Sequence, residues 1–371
     1  MPGDEALMRR ALALAERGRT TVSPNPLVGC VVARNGQIVG EGFHARAGGP
    51  HAEVVALRAA SDRAAGATAY VTLEPCAHHG RTPPCAQALV AAGVTRVVAA
   101  TMDPDPVAAD GADALRSAGV RVDLGCCEEE ARQQNEIFFH GLATGRPFVV
   151  VKAAVSLDGR IAAADGTSRW LTGEQTRQRA HHLRAAADAV IVGSQTVLDD
   201  DPALTVRLPG YDGTPPLRVV LDRRRRVGGA LQVLDDAAPT LLHRGDLTEL
   251  LTALWDRKVR SALVEGGASV VAAFLRAGLA DRVVLHIAPV LLGARGRPLV
   301  TGDWPATLGE APRLRLHDVE QVGDDAVLTL APSPMPRAAR AADPAAPATG
   351  GAAPARDPAA PAADRCAPGV D

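Results

Sequence analysis

Four side chains in the N-terminal third have the types and the spacing of a catalytic zinc site. His51 and Glu53 are two residues apart, and an eight-residue loop separates Cys76 from Cys85. One imidazole and two thiolates provide three zinc ligands and leave the fourth tetrahedral position for water. Zinc would lower the pKa of that water, and Glu53 would carry its proton to a ring nitrogen and the departing ammonia. The pattern predicts a hydrolytic deaminase site, H-x-E followed by P-C, with cysteines more widely spaced than in the common C-x-x-C form.

Each part of this pattern has a simpler explanation when it is taken alone. A His-x-Glu pair on a helix often marks a solvated face, and a Pro-Cys step by itself carries no information. A closed structural zinc site would need a fourth protein ligand, which His78 or His79 could supply. We expect these two histidines to line the site instead, because the motifs occur together, in the right order, after predicted strands.

Short elements position these residues. Apolar runs at 27–33 and 37–43 flank Asn35-Gly36, a dipeptide that tolerates the positive φ angles of a hairpin turn. Pro50 opens a predicted helix over 51–65, and a strand over 68–73 leads into Cys76. The other predicted elements of this half are helices at 1–18, 86–92 and 111–118 and strands at 94–101 and 120–124. The alternation predicts an α/β domain with a mixed sheet.

A second series of strands and helices begins at Pro147. We predict strands at 148–155, 189–193, 217–222, 261–264, 282–287 and 326–330, and helices at 173–187, 246–258 and 268–277. No G-x-G-x-x-G follows a strand here, so the Rossmann fingerprint is absent. Gly266-Gly267 follows a strand and opens a helix, which lets backbone N–H groups approach a phosphate, although a tight turn would look the same.

Composition bounds the possibilities. A chain of 371 residues suits two domains, and 47% hydrophobic residues can bury sizeable cores. We predict domains at 1–145 and 146–331 and a disordered Ala/Pro-rich tail at 332–371. The six cysteines are not expected to form a disulfide framework. We find no membrane span or secretory segment and expect a cytoplasmic enzyme.

The wider deaminase segment closely resembles one family. The residues that carry the resemblance are 23–30 (SPNPLVGC), 42–44 (GFH), 48–53 (GGPHAE) and 72–85 (TLEPCAHHGRTPPC). The family is the bifunctional riboflavin-biosynthesis enzymes, which fuse a diaminohydroxyphosphoribosylaminopyrimidine deaminase to a 5-amino-6-(5-phosphoribosylamino)uracil reductase. The long loop between the cysteines is characteristic of it. The resemblance implies a cytidine-deaminase-like α/β/α domain with one Zn²⁺, with Asn25 against the substrate and His44, His79 and Arg81 in the pocket.

The second half resembles the reductase of the same family at 152–160 (KAAVSLDGR), 168–170 (SRW), 193–207 (GSQTVLDDDPALTVR) and 265–267 (EGG). The resemblance implies a dihydrofolate-reductase-like α/β fold that uses NADPH. It places Lys152 and Glu265 against the sugar that is reduced. The implied substrate contacts are Ser168, Arg184, Leu204, Arg207 and Glu265. The implied cofactor contacts are Ala154, Trp170, Thr196, Asp200, Asp222, Gly266, Gly267, Ala268, Ser269, Val270 and Val271.

The charged residues of this half permit a physical interpretation as well. Arg184 and Arg207 could clamp a phosphate, since guanidinium groups match its oxygens, although an arbitrary arginine is more often surface charge. The run at 223–226 is four arginines long and is more often a solvated turn than a nucleic-acid patch. It could alternatively attract the 2′-phosphate of NADPH.

One segment departs from the family pattern. The family has Asp-Pro-Asn-Pro followed by a Gly–basic–Gly segment, whereas this chain has Asp103-Pro104-Asp105-Pro106 and then Asp110-Gly111. Acids at 105 and 110 would repel a phosphate that they faced. Either the phosphate is held elsewhere, or the deaminase is weakened or altered in its substrate.

These observations favour a bifunctional enzyme that deaminates a phosphoribosylated pyrimidine and then reduces its ribosyl group to ribityl. A reductase with a degenerate deaminase half is the first alternative. A nucleic-acid deaminase is the second, but 3% aromatic residues and a net charge of −2 disfavour it. We expect no nucleic-acid or membrane partner. The resemblance suggests a homodimer or homotetramer formed through the reductase domain.

Overall fold

The Asn35-Gly36 dipeptide forms the predicted hairpin turn. Both residues have positive φ angles, 52° and 75°, and they connect β1 (Gly29–Arg34) to its antiparallel neighbour β2 (Gln37–Phe43). The structure is a computed structural model that describes residues 3–78 and 83–333. The other elements of the first half are α1 (Asp4–Ala15), α2 (Ala52–Ala60), β3 (Thr68–Val71), α3 (Cys85–Ala91), β4 (Arg96–Ala99), α4 (Gly111–Ser117), β5 (Arg121–Leu124), α5 (Glu128–Gln134) and α6 (Glu136–Thr144).

The first sheet is mixed, as predicted. Its strand order is β2-β1-β3-β4-β5, antiparallel through β3 and parallel from β3 to β5. The helices α2, α3 and α4 pack on one face around an alanine- and valine-rich core, and α1 and α5 cover the other. This is the three-layer α/β/α arrangement that the resemblance implied.

Two glycines of β2 allow helix α2, which carries part of the predicted site, to pack closely on the sheet. A Cβ at Gly40 would lie 2.2 Å from the Ala56 carbonyl oxygen, and one at Gly42 would lie 2.5 Å from that of Ala52. Side chains at these positions would push α2 off the sheet. The helix is shorter than predicted, because Ser61 adopts a φ of 51° and a 3-10 turn, Ser61–Ala64, follows it.

The second half contains β6 (Phe148–Ser156), β7 (Arg160–Ala162), α7 (Glu174–Ala185), β8 (Ala189–Gly193), α8 (Ser194–Asp200), β9 (Leu217–Leu221), β10 (Thr240–His243), α9 (Leu247–Asp256), β11 (Ser261–Val264), α10 (Ala268–Arg276), β12 (Arg282–Ala288), β13 (Arg297–Pro298), β14 (Leu314–Val322) and β15 (Asp325–Pro332). Strands β8 and β11 have the predicted bounds. Sequence patterns missed α5, α6, α8, β7, β10, β13 and β14.

The second sheet has eight strands in the order β10-β9-β8-β11-β6-β12-β15-β14. The first six strands are parallel, and β15 and β14 continue the sheet antiparallel. Helices α9 and α10 cover one face, and α7 and α8 cover the other. Because parallel strands end at the same edge, the segments after β6, β8, β9 and β11 meet there, where α/β sheets bind ligands.

The residues from Met1 to Ser333 form one compact unit that includes both sheets. Strand β15 extends to Pro332, the first residue of the predicted tail, and residues 334–371 lie outside the described residues. Among the described residues, no helix has the length and apolar content that crossing a bilayer requires.

Candidate functional site

His51, Cys76 and Cys85 converge on one point. His51 stands at the N-cap of α2, Cys76 follows β3, and Cys85 is the first residue of α3. The His51 Nδ1 atom is 3.2 Å from Cys85 Sγ and 3.7 Å from Cys76 Sγ, and all three donor atoms lie within 4.8 Å of one another. Ligands of one tetrahedral zinc ion are separated by about 3.5 Å at normal zinc–ligand distances. The donor set fits zinc in both chemistry and spacing.

The two thiols are electrostatically suited to a cation. Hydrogen bonds from Cys85 and His51 lower the pKa of the Cys76 thiol to about 4, and the Cys85 backbone N–H also donates to Cys76 Sγ over 3.4 Å. The hydrogen bond to Cys76, together with burial, raises the pKa of the Cys85 thiol well above its usual range. A divalent cation held by both sulfurs would offset the cost of the second thiolate, because its charge would attract both.

Glu53 lies in the first turn of α2 and is only 3% exposed. Burial raises the pKa of its carboxyl group. The side chain lines the same cavity, of about 360 Å³, as His51 and Cys76. A carboxyl group with a raised pKa beside the metal ligands can accept a proton and donate it again.

Asn25 and His44 form the wall beside Glu53. Asn25 Nδ2 lies 2.9 Å from His44 Nε2, and His44 Nδ1 lies 3.0 Å from the Pro50 carbonyl oxygen. Burial lowers the pKa of His44, so its neutral ring donates to Pro50 and accepts from Asn25. Both predicted pocket residues therefore line the cavity in a fixed orientation.

The segment that departs from the family pattern forms another wall. Glu74 holds it in place, since its carboxylate accepts the backbone N–H groups of Asp103 over 3.2 Å and of Ala112 over 2.9 Å. Asp103 and Asp105 line the cavity, and burial raises the pKa of Asp103 to about 6. Asp110 is exposed and is not part of this lining.

The loop between the cysteines is described only in part. His78 lines the cavity, whereas His79 and Arg81 lie outside the described residues. The remaining wall was not predicted from the sequence. It consists of Phe138 and Leu142 from α6 together with Trp255 and Arg260 from the second half of the chain. No local motif marks these four residues.

Three of the predicted reductase residues, Lys152, Arg184 and Glu265, lie together on the sheet face that α7 covers. Glu265, whose side chain is 8% exposed, accepts a hydrogen bond from Arg184 Nε over 2.6 Å. Burial lowers the pKa of Lys152, whose charge is coupled to that of Glu265. The Arg207 backbone N–H donates to His181 Nδ1 over 3.2 Å. His181 was not predicted, although it stands on the same helix three residues before Arg184.

The glycine turn after β11 lies against the end of the neighbouring strand β8. A Cβ at Gly193 would lie 2.9 Å from Val270 Cγ2, and a Cβ at Gly267 would lie 3.7 Å from Thr196 Oγ1. The start of α10 therefore lies directly beside the start of α8. The predicted cofactor residues of this turn and of the first turn of α10 are Gly266, Gly267, Ala268, Ser269, Val270 and Val271, of which Val271 is buried in the core.

The other predicted reductase contacts are in different environments. Trp170 is 68% exposed, with the Arg177 guanidinium 4.7 Å from its ring centre, and Ser168 is also exposed. Ala154 lies in β6 on the same sheet face as Lys152. The Asp200 carbonyl, at the end of α8, accepts a hydrogen bond from Arg169.

Two of these predicted contacts are buried. Asp222 accepts the backbone N–H groups of Arg226 and Val227, so it holds the arginine turn in place. The Leu204 side chain packs in the core. A direct ligand contact by either side chain would need a rearrangement.

Two family models match separate parts of the chain. A family model for the cytidine and deoxycytidylate deaminase zinc-binding region matches residues 1–101, and one for the RibD C-terminal domain matches residues 147–328. The riboflavin biosynthesis protein RibD of Escherichia coli strain K12 is 44% identical over 362 residues, which cover 88% of this chain and 99% of that protein.

Two solved structures are similar over nearly the whole described chain. Acinetobacter baumannii RibD superimposes with a TM-score of 0.84 at 42% identity, covering 89% of this chain and 99% of that one. A diaminohydroxyphosphoribosylaminopyrimidine deaminase/5-amino-6-(5-phosphoribosylamino)uracil reductase from Thermotoga maritima gives a TM-score of 0.83 at 36% identity, with the same coverage. This chain therefore belongs to the RibD family of riboflavin biosynthesis proteins and carries both a zinc-binding deaminase domain and a reductase domain.

Proposed function

We propose that this chain catalyses two consecutive steps of riboflavin biosynthesis. The first is deamination of 2,5-diamino-6-(5-phosphoribosylamino)pyrimidin-4-one, and the second is reduction of the ribosyl group of the product to ribityl. The observation that carries the proposal is the convergence of His51, Cys76 and Cys85 beside the buried carboxyl group of Glu53. Residues 1–145 would perform the first step and residues 146–331 the second.

In the deaminase half, His51, Cys76 and Cys85 would hold the zinc ion. The ion, when bound, supplies the positive charge that makes a water molecule acidic. Glu53 accepts the first proton of the attacking water and delivers it to the ring nitrogen; it then carries the remaining proton of the newly added hydroxyl group to the amine, which departs as ammonia as the C–N bond breaks. Asn25, fixed by its contact with His44, hydrogen-bonds the pyrimidine and orients the carbon that is attacked. His79 and Arg81 are expected to complete this pocket.

In the reductase half, Lys152 and Glu265 would face the sugar. NADPH, when bound, supplies the hydride that C1′ receives. The ribosylamine ring must open first, and the Lys152 ammonium group is suited to donate a proton to the ring oxygen as its bond to C1′ breaks. The cost of burial lowers the pKa of this ammonium group, which makes it a better proton donor. Arg184 and Arg207 would bind the phosphate, with Ser168 and Leu204 as further substrate contacts.

The NADPH site would lie along the carboxyl edge of the parallel strands. The glycine turn at Gly266-Gly267 and the start of α10 offer backbone N–H groups to a phosphate. Arg226 donates to Ser194 Oγ over 2.8 Å beside this turn, and this contact supports the proposal that the arginine run attracts the 2′-phosphate. Ala154, Trp170, Thr196, Asp200 and Asp222 remain proposed cofactor residues. We also expect a dimer or tetramer, which light scattering would measure.

A two-stage assay tests the proposed function. The purified chain, with its zinc content measured, is incubated with the phosphoribosylated diaminopyrimidinone, first without and then with NADPH. We expect about one zinc per chain, ammonia release in the first stage and NADPH oxidation only after deamination. Absence of ammonia release from a zinc-loaded protein would exclude the deaminase. NADPH oxidation without prior deamination would contradict the proposed order, in which deamination precedes reduction.

A second candidate function is a deaminase with an altered substrate. The observation that favours it is the presence of Asp103 and Asp105 in the cavity lining, since carboxylates repel a phosphate. An unphosphorylated pyrimidine that is deaminated faster than the phosphorylated one in the same assay would support this candidate over the first.

A further inference from the structure

The deaminase cavity is closed by the reductase half of the same chain. Trp255 lies in the last turn of α9, and Arg260 follows in the segment that leads into β11; both line the cavity that contains Glu53 and Cys76. The helix α9 is anchored at its start by a capping box, in which the Asp246 carboxylate accepts the Glu249 N–H over 2.8 Å. The wall is therefore part of a folded element rather than a loose loop.

One close contact joins this wall to α6, and two hydrogen bonds tie the start of α6 to the rest of the deaminase half. A Cβ at Gly141 of α6 would lie 2.8 Å from the Trp255 ring, so α6 rests directly on the indole. Asn135, just before α6, exchanges two hydrogen bonds with the backbone of Leu27, at 2.8 and 2.9 Å. This pair ties α6 to the segment that carries Asn25. Helix α6 and Asn135 thus connect the Trp255 ring to the segment that carries Asn25.

The Arg260 guanidinium has donors available for an anion. It stacks on the Trp255 ring with its central carbon 3.6 Å from the ring centre, and Nη1 donates to the Trp255 carbonyl oxygen over 3.0 Å. Within the described part of the chain, Nε and Nη2 have no hydrogen-bond partner. A guanidinium that stacks through its face keeps these in-plane donors available, and their geometry matches two oxygens of a phosphate.

Charge decides which end of the cavity a phosphate can occupy. The segment with Asp103 and Asp105 places carboxylates on one wall, and Arg260 is the only Lys or Arg side chain among the described residues of the lining. A phosphate is repelled from the first wall and attracted to the second.

We propose that Arg260, stacked on Trp255 of the reductase half, binds the phosphate of the deaminase substrate and gives the deaminase its preference for phosphorylated pyrimidines. This inference rests on the proposed deaminase function and deepens it. It also explains how a chain with Asp105 in its pocket can accept an anionic substrate. The reductase half thereby acts as a specificity element for the first reaction.

The test compares two substrates of the full-length zinc-loaded protein. Ammonia release is measured with the phosphoribosylated diaminopyrimidinone and with the same compound after its phosphate has been removed enzymatically. In Arg260→Gln, the ratio of kcat/KM for the phosphorylated over the dephosphorylated substrate should fall at least tenfold, mainly through KM, and Arg260→Lys should restore part of it. The matched control is Arg257→Gln, three residues earlier, exposed and outside the cavity lining, which should leave the ratio unchanged.

A binding measurement separates failure of this inference from failure of the proposed function. Calorimetry on the Glu53→Gln protein, with and without Arg260→Gln, measures the affinity for the phosphorylated compound without turnover. The affinity of the same variants for NADPH checks that they are folded. An unchanged ratio together with unchanged affinity overturns the role of Arg260. If the unsubstituted protein releases no ammonia, the deaminase proposal fails, and the calorimetric comparison still decides whether Arg260 binds the phosphate.

Discussion

The deaminase pocket and the group of reductase residues around Lys152, Arg184 and Glu265, called the reductase cleft below, hold their polar side chains in different ways. In the pocket, His51, Cys76 and Cys85 converge on one point, and each ring nitrogen of His44 has a partner. In the cleft, the charged groups satisfy one another, and the Glu265–Arg184 pair is the clearest case. The three donors of the pocket can bind one ion together, whereas in the second arrangement the existing ion pairs must exchange with the substrate. Single substitutions should therefore abolish the first activity more completely than the second.

The largest effect is expected for Glu53→Gln. The amide keeps the shape of the side chain but cannot accept the proton of water, so ammonia release should fall about 10²- to 10⁴-fold. Zinc content should stay the same, because Glu53 is not among the three converging donors. The control is NADPH oxidation with the deaminated compound, which should proceed at the unsubstituted rate. Ammonia release above a tenth of the normal rate would contradict the assigned proton transfer.

Lys152→Met should have the next largest effect. Methionine fills a similar volume without the ammonium group, and the loss of one positioned proton donor should slow NADPH oxidation about 100-fold. Ammonia release should be unchanged, since Lys152 lies in the second sheet, away from the zinc donors. NADPH affinity, measured by fluorescence, checks that the cleft is intact. Slowed ammonia release would show that the two halves are coupled more tightly than the comparison implies.

The same contrast explains how much the sequence could predict. The zinc donors lie at the starts of α2 and α3 and in the segment after β3. Because these elements are short, motif spacing was sufficient to bring His51, Cys76 and Cys85 together and to predict the mixed sheet around them. The second cleft is assembled from the ends of several parallel strands, and its residues were assigned by family resemblance. Sequence patterns did not predict that the Asp222 carboxylate accepts two backbone hydrogen bonds or that the Leu204 side chain is buried.

The missed wall of the deaminase pocket has a similar cause. Helix α5, with the sequence EEEARQQ, has no apolar stripe, and α6 was not predicted either. Trp255 and Arg260 reach the pocket only because the two halves pack against each other. No local pattern carries that information, since it depends on contacts between residues more than 100 positions apart.

Acid should affect the two regions differently. His286, in β12, is 1% exposed, and within the described residues neither ring nitrogen has a hydrogen-bond partner. Burial and then the charges of Lys152 and Arg179 lower its pKa to about 3. The unfolded chain, with a histidine pKa of about 6.5, binds a proton that the folded chain does not, so stability is lost as the pH falls below 6.5.

From pH 7 to pH 5 this one histidine should cost about 1–2 kcal/mol. Urea unfolding followed by tryptophan fluorescence reports the second half, because all three tryptophans, Trp170, Trp255 and Trp304, lie there. His286→Leu, which cannot take up a proton, should flatten the dependence on pH over this range. An equally steep dependence in this variant would place the acid sensitivity in other groups.

The smallest effect is expected where the two regions touch. In Gly141→Ala the new methyl group would lie 2.8 Å from the Trp255 ring, so the ring must move by several tenths of an ångström and carry the stacked Arg260 with it. The KM of the deaminase for its phosphorylated substrate should rise a few-fold with little change in kcat. Alanine also favours the helix by about 1 kcal/mol, so global stability should not fall much even though the wall shifts.

Gly228→Ala, where a Cβ meets no atom within 4 Å, is the matched control and should leave KM unchanged. A rise in KM for the dephosphorylated substrate as large as that for the phosphorylated one would mean that the wall shapes the pocket without recognising the phosphate.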